Sequence, residues 1–392
     1  MIRALKYFGF VLFAVCFLSF CFLLLLEIKA AKRKIRRVSD TLGIVKLKEI
    51  LSQHRDFIPD AYDRIPFADD TGVVMGVKKL KVHGMGYPYN SCLLEKWDGS
   101  GFYLFFRFDV KKSVLEFRPH RELETYIGVA ELDRNLVHCD YSFRVIDTKC
   151  DSAEDPRAFY CGDDLYLSFN SLVEGHNEAR SIKIGKVNVH DWTLSETTDM
   201  DMRIQKIEKN WVPFVHENMV HFIYNISPHK VFFRDSFLPH RLQAYDPCEN
   251  FQLFDELWEK KWGRISGGTP ARLVNDEYLS FFHSRFKQGP IHCYAIGAYT
   301  FEKEPPFTIT SITPHPILFR NMYDSKVEHT SNPLVKCLFP AGFAFPNNSD
   351  TTVLYLSIGE NDVATKVLTI NTSELLSSML RFETREDAIL KN

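Results

Sequence analysis

The chain has 392 residues, which is long enough for one large domain or two of medium size. Hydrophobic residues make up 45% of it and charged residues 25%, as in an ordinary globular protein, and the formal net charge of −2 argues against nucleic acid as a partner. Aromatic residues are abundant at 14%, which favours β-strands and also suits a sugar-binding cleft.

The first predicted element is an uncharged apolar run from Tyr7 to Leu26, preceded by a short tail over residues 1–6. At about 1.5 Å per residue, a helix of this length matches a hydrocarbon core of about 30 Å. We therefore expect a single transmembrane signal anchor. A cleaved signal peptide remains the alternative, because Ala30 and Ala31 follow the run.

The orientation of this anchor rests on two conflicting signals. Lysines and arginines cluster between residues 29 and 37, which by the positive-inside rule places the C-terminal bulk in the cytosol. The glycosylation acceptor sequences at Asn225, Asn347 and Asn371, together with the short N-terminal tail, favour the opposite orientation. We expect a type II protein of the Golgi or ER with a lumenal catalytic domain.

The nine cysteines form no CxxC pair and no cluster with histidine, so a zinc site is not predicted. Disulfide pairing cannot be read from the spacing. The only DxD-like sequence, Asp199–Asp201, lies in a polar stretch where a solvated loop is the better interpretation. The sequence therefore predicts neither a metal requirement nor a cofactor.

The pattern of apolar runs and turn residues divides the rest of the chain into three parts. It predicts a stem or linker over residues 27–80, an almost purely β domain over residues 81–375 and a tail over residues 376–392. Within the β domain only Cys248–Trp262 has a helical character. Runs of four to eight apolar residues alternate there with Gly, Pro, Asn and Asp turns.

One motif repeats through the β domain: a proline, a short apolar strand, an Asn or Asp turn, and a second apolar strand. Its prolines are Pro156, Pro213 and Pro270, each 57 residues apart, and then Pro340 after 70. A weaker unit surrounds Asn90. Five units of this length predict an all-β fold, a five-bladed β-propeller. A pair of β-sandwiches would not explain the regular spacing.

Charged and amide residues recur beside these prolines, where a propeller brings the innermost strands to one funnel. They are Asn90, Ser91, Asp155, Arg157, Lys209, Asn210 and Arg264, with Arg107, His283 and Asp362 at strand ends. A carboxyl group can protonate a glycosidic oxygen, and amides and cations can hold hydroxyls or an anion. The pattern therefore indicates a sugar site.

The motifs "EDPRAF", "EKNWVPF", "GGTPARL…YLSFFHS" and "FPAGF…LSIGEND" occur in this order between Asn90 and Asp362. Together they resemble glycoside hydrolase family 130 and the related β-1,2-mannosyltransferases of glycosyltransferase family 108. The resemblance implies a five-bladed propeller, in agreement with the repeat.

The resemblance also implies residue roles. Asp155 would be the catalytic acid/base, and Arg157 would either orient it or form a structural salt bridge. Asn90, Ser91, Arg107 and Asp362 would surround the sugar at the cleavage site, with Arg157 counted among these substrate-binding residues. Residues that would hold phosphate or the donor are Lys209, Asn210, Arg264, His283 and Tyr294. The chain departs from the phosphorolytic pattern at "NISPHK", where Ser227 stands in place of an arginine. This departure puts simple phosphorolysis in doubt.

Three functions follow. The first is a membrane-anchored inverting glycosyltransferase that makes β-mannoside-type linkages from a nucleotide-sugar or sugar-phosphate donor, with a carbohydrate acceptor. The second is a mannoside phosphorylase or hydrolase, for which Glu154, Glu360 and Asp362 are candidate second carboxylates. The third is a non-catalytic carbohydrate-binding propeller, which the presence of Asp155 disfavours.

Overall fold

The computed structural model describes residues 59–111, 123–141, 143–176, 178–200, 205–234, 242–244, 255–325, 335–347 and 350–382. The predicted tail and anchor over residues 1–26 and much of the predicted stem lie outside these ranges. Within them, no helix is both long and apolar enough to cross a membrane.

Strands β1 to β23 form five sheets, and β1 (Val74–Lys79), the first in the chain, belongs to the last of them. The first sheet is an antiparallel meander of β2 (Tyr89–Glu95), β3 (Gly101–Lys111), β4 (Leu123–Asp133) and β5 (Arg144–Val145). The second repeats this order with β6 (Glu154–Cys161), β7 (Asp164–Leu172), β8 (Arg180–Asn188) and β9 (Thr193–Asp199).

The third sheet contains β10 (Val212–His216), β11 (Met219–Asn225), β12 (Lys230–Arg234) and β13 (Leu242–Ala244). The fourth is larger, because short strands join its edges. Its members are β14 (Ile265–Gly267), β15 (Arg272–Val274), β16 (Glu277–Gln288), β17 (Ile291–Glu302), β18 (Ile309–Ile312), β19 (Val335–Lys336) and β23 (Leu380–Arg381).

The fifth sheet closes the arrangement. It contains β20 (Leu338–Ala344), β21 (Val353–Glu360) and β22 (Ala364–Asn371), and β1 pairs antiparallel with β22 as its outer strand. The fold therefore begins before residue 81, inside the segment that the sequence assigned to the stem. It also continues past residue 375, because β23 pairs with β18.

Helical structure in the described ranges is short. A 3₁₀ turn covers Asp60–Tyr62, a π-helical turn covers Asp255–Glu259 and runs into Lys260–Trp262, and an α-helix covers Thr372–Ser377. The turns at residues 255–262 fall in the segment where the sequence predicted helical character. The Thr372–Ser377 helix was not predicted, and the Asn371 side chain caps it by accepting a hydrogen bond from the Glu374 amide at 3.2 Å.

Each sheet contacts the next in a closed ring: β2 meets β6, β6 meets β10, β11 meets β14, β16 meets β20, and β20 meets β2. Apolar clusters fill the space between neighbouring sheets. Phe105 and Leu167, for example, lie in the cluster between the first and second sheets, and Phe159 and Phe222 in the cluster between the second and third. Sheets packed face to face around a ring are a propeller-like arrangement, so the prediction of an all-β propeller-like fold is confirmed.

Candidate active site

The innermost strands begin with residues in the left-handed conformation. In β6, Glu154 lies opposite Asn170 while Arg157 lies opposite Ser168, so Asp155 sits in a bulge, with φ of 55°. The same irregularity occurs at the start of β2, where Asn90 has φ of 47°. Asn and Asp tolerate this conformation better than other residues with side chains. Two bulges at matching positions thus bring two polar side chains together.

Asn90 and Asp155 are in direct contact. The Asn90 Nδ2 donates to Asp155 Oδ1 at 2.9 Å, and both side chains are buried. Gly359 makes room for this contact, because a Cβ at that position would lie 2.1 Å from Asn90 Oδ1. The amide therefore fixes the carboxylate from the neighbouring sheet.

Arg107, near the middle of β3, supplies the positive charge at this point. Its guanidinium lies 3.5 Å from Asp155 Oδ1 and 3.4 Å from Glu154 Oε1, over the ring of Tyr89. Burial alone would raise the pKa of Asp155, but Arg107, Lys209 and the Asn90 hydrogen bond outweigh it and lower this pKa below its ordinary value. Asp155 is consequently a carboxylate at neutral pH.

Glu154 is held more tightly than its neighbour, since three cations surround it. Lys209 Nζ lies 2.7 Å from its Oε2, and Arg180 Nη2 lies 3.1 Å from its Oε1, in addition to Arg107. Neither Glu154 nor Arg180 was among the predicted binding residues. Arg180 begins β8, away from every recurring motif, so no sequence signal identified it.

Arg157 occupies a structural position. Its side chain is almost completely buried, and its Nε donates to Gly268 O at 2.6 Å, with further bonds to Gly267 O and Asn210 Oδ1. It approaches Asp155 only at the backbone carbonyl, at 3.3 Å. Arg157 therefore ties the second sheet to the fourth beneath the site, and its charge helps to lower the pKa of the Asp155 carboxyl group.

Ser91 is also fully buried. Its hydroxyl bonds to that of Thr365, and its carbonyl accepts from Ser357 Oγ at 2.6 Å, so it joins the first sheet to the fifth. This predicted sugar-binding residue is therefore enclosed between the two sheets and has no exposed surface.

Asp362 comes from the turn after β21 and also has a positive φ, 55°. Its neighbour Asn361 holds the turn, since the Asn361 side chain accepts from Cys337 N and donates to two backbone carbonyls. The Asp362 side chain is exposed to solvent, although the surrounding protein partly desolvates its carboxyl group. This desolvation, with the charges of Asp155, Asp109 and Glu154, raises the pKa of Asp362 against the opposing effect of Arg107. Two neighbouring carboxyl groups therefore have pKa values shifted in opposite directions.

Three of the five predicted donor-binding residues, Lys209, Asn210 and Arg264, line one recess of about 180 Å³ between the third and fourth sheets, which we call the cationic recess. Tyr224 and Asn225, which were not predicted, complete its wall. Glu208 also lines it, but its carboxylate is engaged by Trp211 Nε1 and Gln205 N.

His283 and Tyr294 do not line the cationic recess. Their rings stack on each other at 5.9 Å, and His283 also packs against Phe339. Burial, helped by the nearby Arg157, lowers the pKa of His283 to about 3, so this residue adds no positive charge near pH 7. The predicted donor-binding set is thus divided between two places.

Ser227, which stands where the phosphorolytic pattern has an arginine, follows two residues after Asn225 in the wall of the cationic recess. Asn225 Nδ2 donates to the Ser227 carbonyl at 2.7 Å, and no arginine stands at this position. The positive charge of the recess comes from Lys209 and Arg264. Across the described ranges, no group of His, Cys, Asp and Glu is arranged to hold a metal ion, and the six cysteines found there are free.

The chain matches no protein-family model and no curated protein sequence. Solved structures do share its fold. A β-1,2-mannobiose phosphorylase from Listeria innocua, in complex with β-1,2-mannobiose, matches with a TM-score of 0.51 at 13% identity, over 80% of this chain and 98% of that chain. A putative glycoside hydrolase from Parabacteroides distasonis matches with a TM-score of 0.50 at 13% identity, over 73% of this chain and 87% of that chain.

At this level of identity the matches establish the fold. The sequence resemblance to glycoside hydrolase family 130 is therefore confirmed for the fold, and both matched chains are covered over most of their length. Function has to be argued from the site, because one fold carries many activities.

Proposed function

We propose that this chain is a carbohydrate-active enzyme, an inverting glycosyltransferase that forms β-mannoside-type linkages from a donor with an anionic leaving group. Each of the five sheets is taken as one propeller blade, with the reaction at the start of the innermost strands. The observation that carries the proposal is the Asp155 carboxyl group, held by Asn90 and Arg107 next to the cationic recess.

The charge state of Asp155 favours synthesis. An ionised carboxylate can accept the proton of an acceptor hydroxyl, and a lowered pKa keeps it ready for this role near pH 7. The acceptor oxygen then forms its bond to the anomeric carbon from one side. The bond to the phosphate oxygen breaks on the other side and leaves its electron pair on the phosphate, so a single displacement inverts the centre.

The cationic recess accounts for the leaving group. Lys209 and Arg264 would neutralise the departing phosphate, and Asn210 would donate to its oxygens. A sugar phosphate and a nucleotide sugar both present this anion. The protein that matches in fold and is named a β-1,2-mannobiose phosphorylase supports the choice of a mannosyl group.

Breakdown of mannosides is the second candidate, and one observation favours it. The raised pKa of Asp362 makes this residue the better proton donor of the two, as protonation of a departing glycosidic oxygen requires. Phosphorolysis or hydrolysis would then use Asp362 as the acid.

We also propose that the enzyme is a single-pass membrane protein of the secretory pathway. The apolar run from Tyr7 to Leu26 would anchor it with the β domain in the Golgi or ER lumen.

The test incubates the full chain with GDP-mannose or mannose 1-phosphate and manno-oligosaccharide acceptors, and follows the products by mass spectrometry. Asp155→Asn is compared with Asp276→Asn, a matched change at an exposed aspartate whose side chain is 88% accessible. Extension by the wild type and by Asp276→Asn, but not by Asp155→Asn, supports transfer. Shortened oligosaccharides establish breakdown, and bound but unchanged oligosaccharides establish a binding protein.

A further inference from the structure

A second recess lies at the opposite ends of the innermost strands. It has a volume of about 620 Å³, within the range of about 300–1,000 Å³ typical of small-ligand sites. The turns after β2, β6 and β8 form its walls. Asp155 is the second residue of β6, and Tyr160, which lines the recess near the other end of that strand, is five residues or about 17 Å of extended chain away. This recess is thus separate from the candidate active site.

Aromatic side chains line its base, and we call it the aromatic groove. The side chain of Trp97 is 66% exposed and meets the Tyr160 ring at 5.3 Å, nearly edge-on. Tyr160 is fixed by a hydrogen bond from its hydroxyl to the Glu95 carbonyl at 3.1 Å, and Tyr103 continues the aromatic surface. Trp97, backed by the Tyr160 ring, thus offers a flat and exposed apolar surface in the recess.

The rim of the aromatic groove is polar but close to neutral. Three aspartates and two lysines line it. Lys186 pairs with Asp164 at 2.8 Å and Lys96 pairs with Glu131, whereas Asp98 and Asp163 are exposed. Exposed carboxylates accept hydrogen bonds from hydroxyl groups, and a nearly balanced charge does not suit a polyanion.

An apolar platform beside exposed carboxylates matches one ligand chemistry. A sugar ring presents C–H groups on its face and hydroxyls around its edge, so it can cover an aromatic ring and bond to carboxylates at the same time. We propose that the aromatic groove is a second carbohydrate-binding site, which takes a neutral oligosaccharide by stacking one sugar ring on Trp97 while Asp98 and Asp163 accept hydrogen bonds from its hydroxyls.

This inference goes beyond the proposed function, because it does not depend on what happens at Asp155. A groove on the far side would hold a glycan chain to the protein without occupying the reaction site. An enzyme that acts on a long glycan would keep it bound between reaction cycles.

Tryptophan fluorescence provides a direct measurement of saccharide binding at the aromatic groove. All five tryptophans lie in the described ranges, and the four other than Trp97 are at most 8% exposed. Acrylamide quenching of the full chain's fluorescence therefore reports mainly on Trp97. Manno-, cello- and xylo-oligosaccharides of two to six units are the probes. At least one series should protect the fluorescence from acrylamide and shift its emission to shorter wavelength, in wild type and in Asp155→Asn alike.

Variants assign the effect to the groove. Asp163→Ala keeps Trp97 as the reporter. The saccharide concentration that is needed to protect Trp97 from acrylamide should rise at least tenfold in this variant. Trp97→Ala removes the reporter, so its binding is followed by calorimetry and should fall by a similar factor, with an unchanged melting temperature. Tyr141→Ala, a matched change at a tyrosine that is 71% exposed outside the groove, should bind as the wild type does. If no saccharide protects Trp97, or if Asp163→Ala binds normally, the proposal is overturned.

Discussion

The side-chain amide of Asn90 donates a hydrogen bond of 2.9 Å to Oδ1 of Asp155 and so joins the innermost strands of two adjacent sheets. Removing it should weaken both the position and the charge state of the carboxylate. We expect Asn90→Gly to reduce transfer about 10- to 100-fold, because a hydrogen bond to a charged group contributes about 1.5–3 kcal/mol. Glycine keeps the left-handed backbone at this position.

The pH profile of the same variant tests the electrostatic part. Because the Asn90 bond lowers the pKa of Asp155, its loss should move the acid limb of the activity profile to higher pH. Asn275→Gly, another left-handed asparagine, on a turn away from the site, is the control and should leave activity and profile unchanged. An Asn90→Gly enzyme with an unmoved acid limb would contradict the role assigned to this bond.

A change in the cationic recess should discriminate between ligands. Arg264→Ala should raise the KM for a phosphate-bearing donor about 10- to 100-fold and leave binding of a neutral oligosaccharide nearly unchanged, since only the donor brings negative charge. Initial rates over a donor series measure this difference. Arg320→Ala, at an exposed arginine that does not line the recess, should have no effect. Equal losses for both ligands would show that Arg264 does not act on phosphate.

Acid stability should depend on His229, which is buried against the rings of Tyr299 and Phe301. Among the described residues, neither of its ring nitrogens has a hydrogen-bond partner. Burial lowers its pKa from 6.5 to about 3. Between these pH values the unfolded chain binds a proton that the folded chain does not, so the free energy of unfolding falls as the pH falls. One such proton corresponds to about 1.4 kcal/mol per pH unit.

The variant His229→Leu should therefore flatten the dependence of stability on pH between about 3 and 6.5. Denaturant titrations at several pH values measure the slope. His176→Phe, at an exposed loop histidine, is the comparison and should keep the slope of the wild type. An unchanged slope in His229→Leu would mean that His229 is protonated in the folded protein.

Glycosylation can test the proposed lumenal location. Of the three acceptor asparagines, Asn347 is exposed, whereas Asn225 lines the cationic recess and Asn371 caps a helix. Expression in a glycosylating cell should add a glycan that an endoglycosidase removes and that Asn347→Gln abolishes. Asn225→Gln should leave the glycan in place. A chain that carries no glycan in such cells would contradict the lumenal orientation.

The repeat of Pro156, Pro213 and Pro270 predicted the all-β propeller-like arrangement, because a constant interval indicates a repeated structural unit. The sequence pattern did not predict where the fold begins. The strand Val74–Lys79 does not alternate clearly between apolar and polar residues, and it is an edge strand with mostly exposed side chains. Its place is decided by pairing with β22, about 290 residues further along the chain.

The site could be predicted in part. Residues beside the recurring motifs met in space, as Asn90 and Asp155 show, since equivalent strand ends converge. Sequence could not separate those that line the site from those that brace it. Arg157 and Ser91 belong to the motifs but are enclosed, whereas Arg180 contacts Glu154 from a strand without any motif. Burial depends on the packing of neighbouring sheets, which a local pattern does not record.

The pairing of β1 with β22 joins the beginning of the described chain to its end. A recombinant fragment started at residue 81, the boundary that the pattern suggests, would lack this strand and leave β22 with a row of free backbone donors and acceptors. Open strand edges of this kind recruit other chains and aggregate. A useful expression fragment should therefore begin upstream of Val74, so that it includes β1, the strand that pairs with β22.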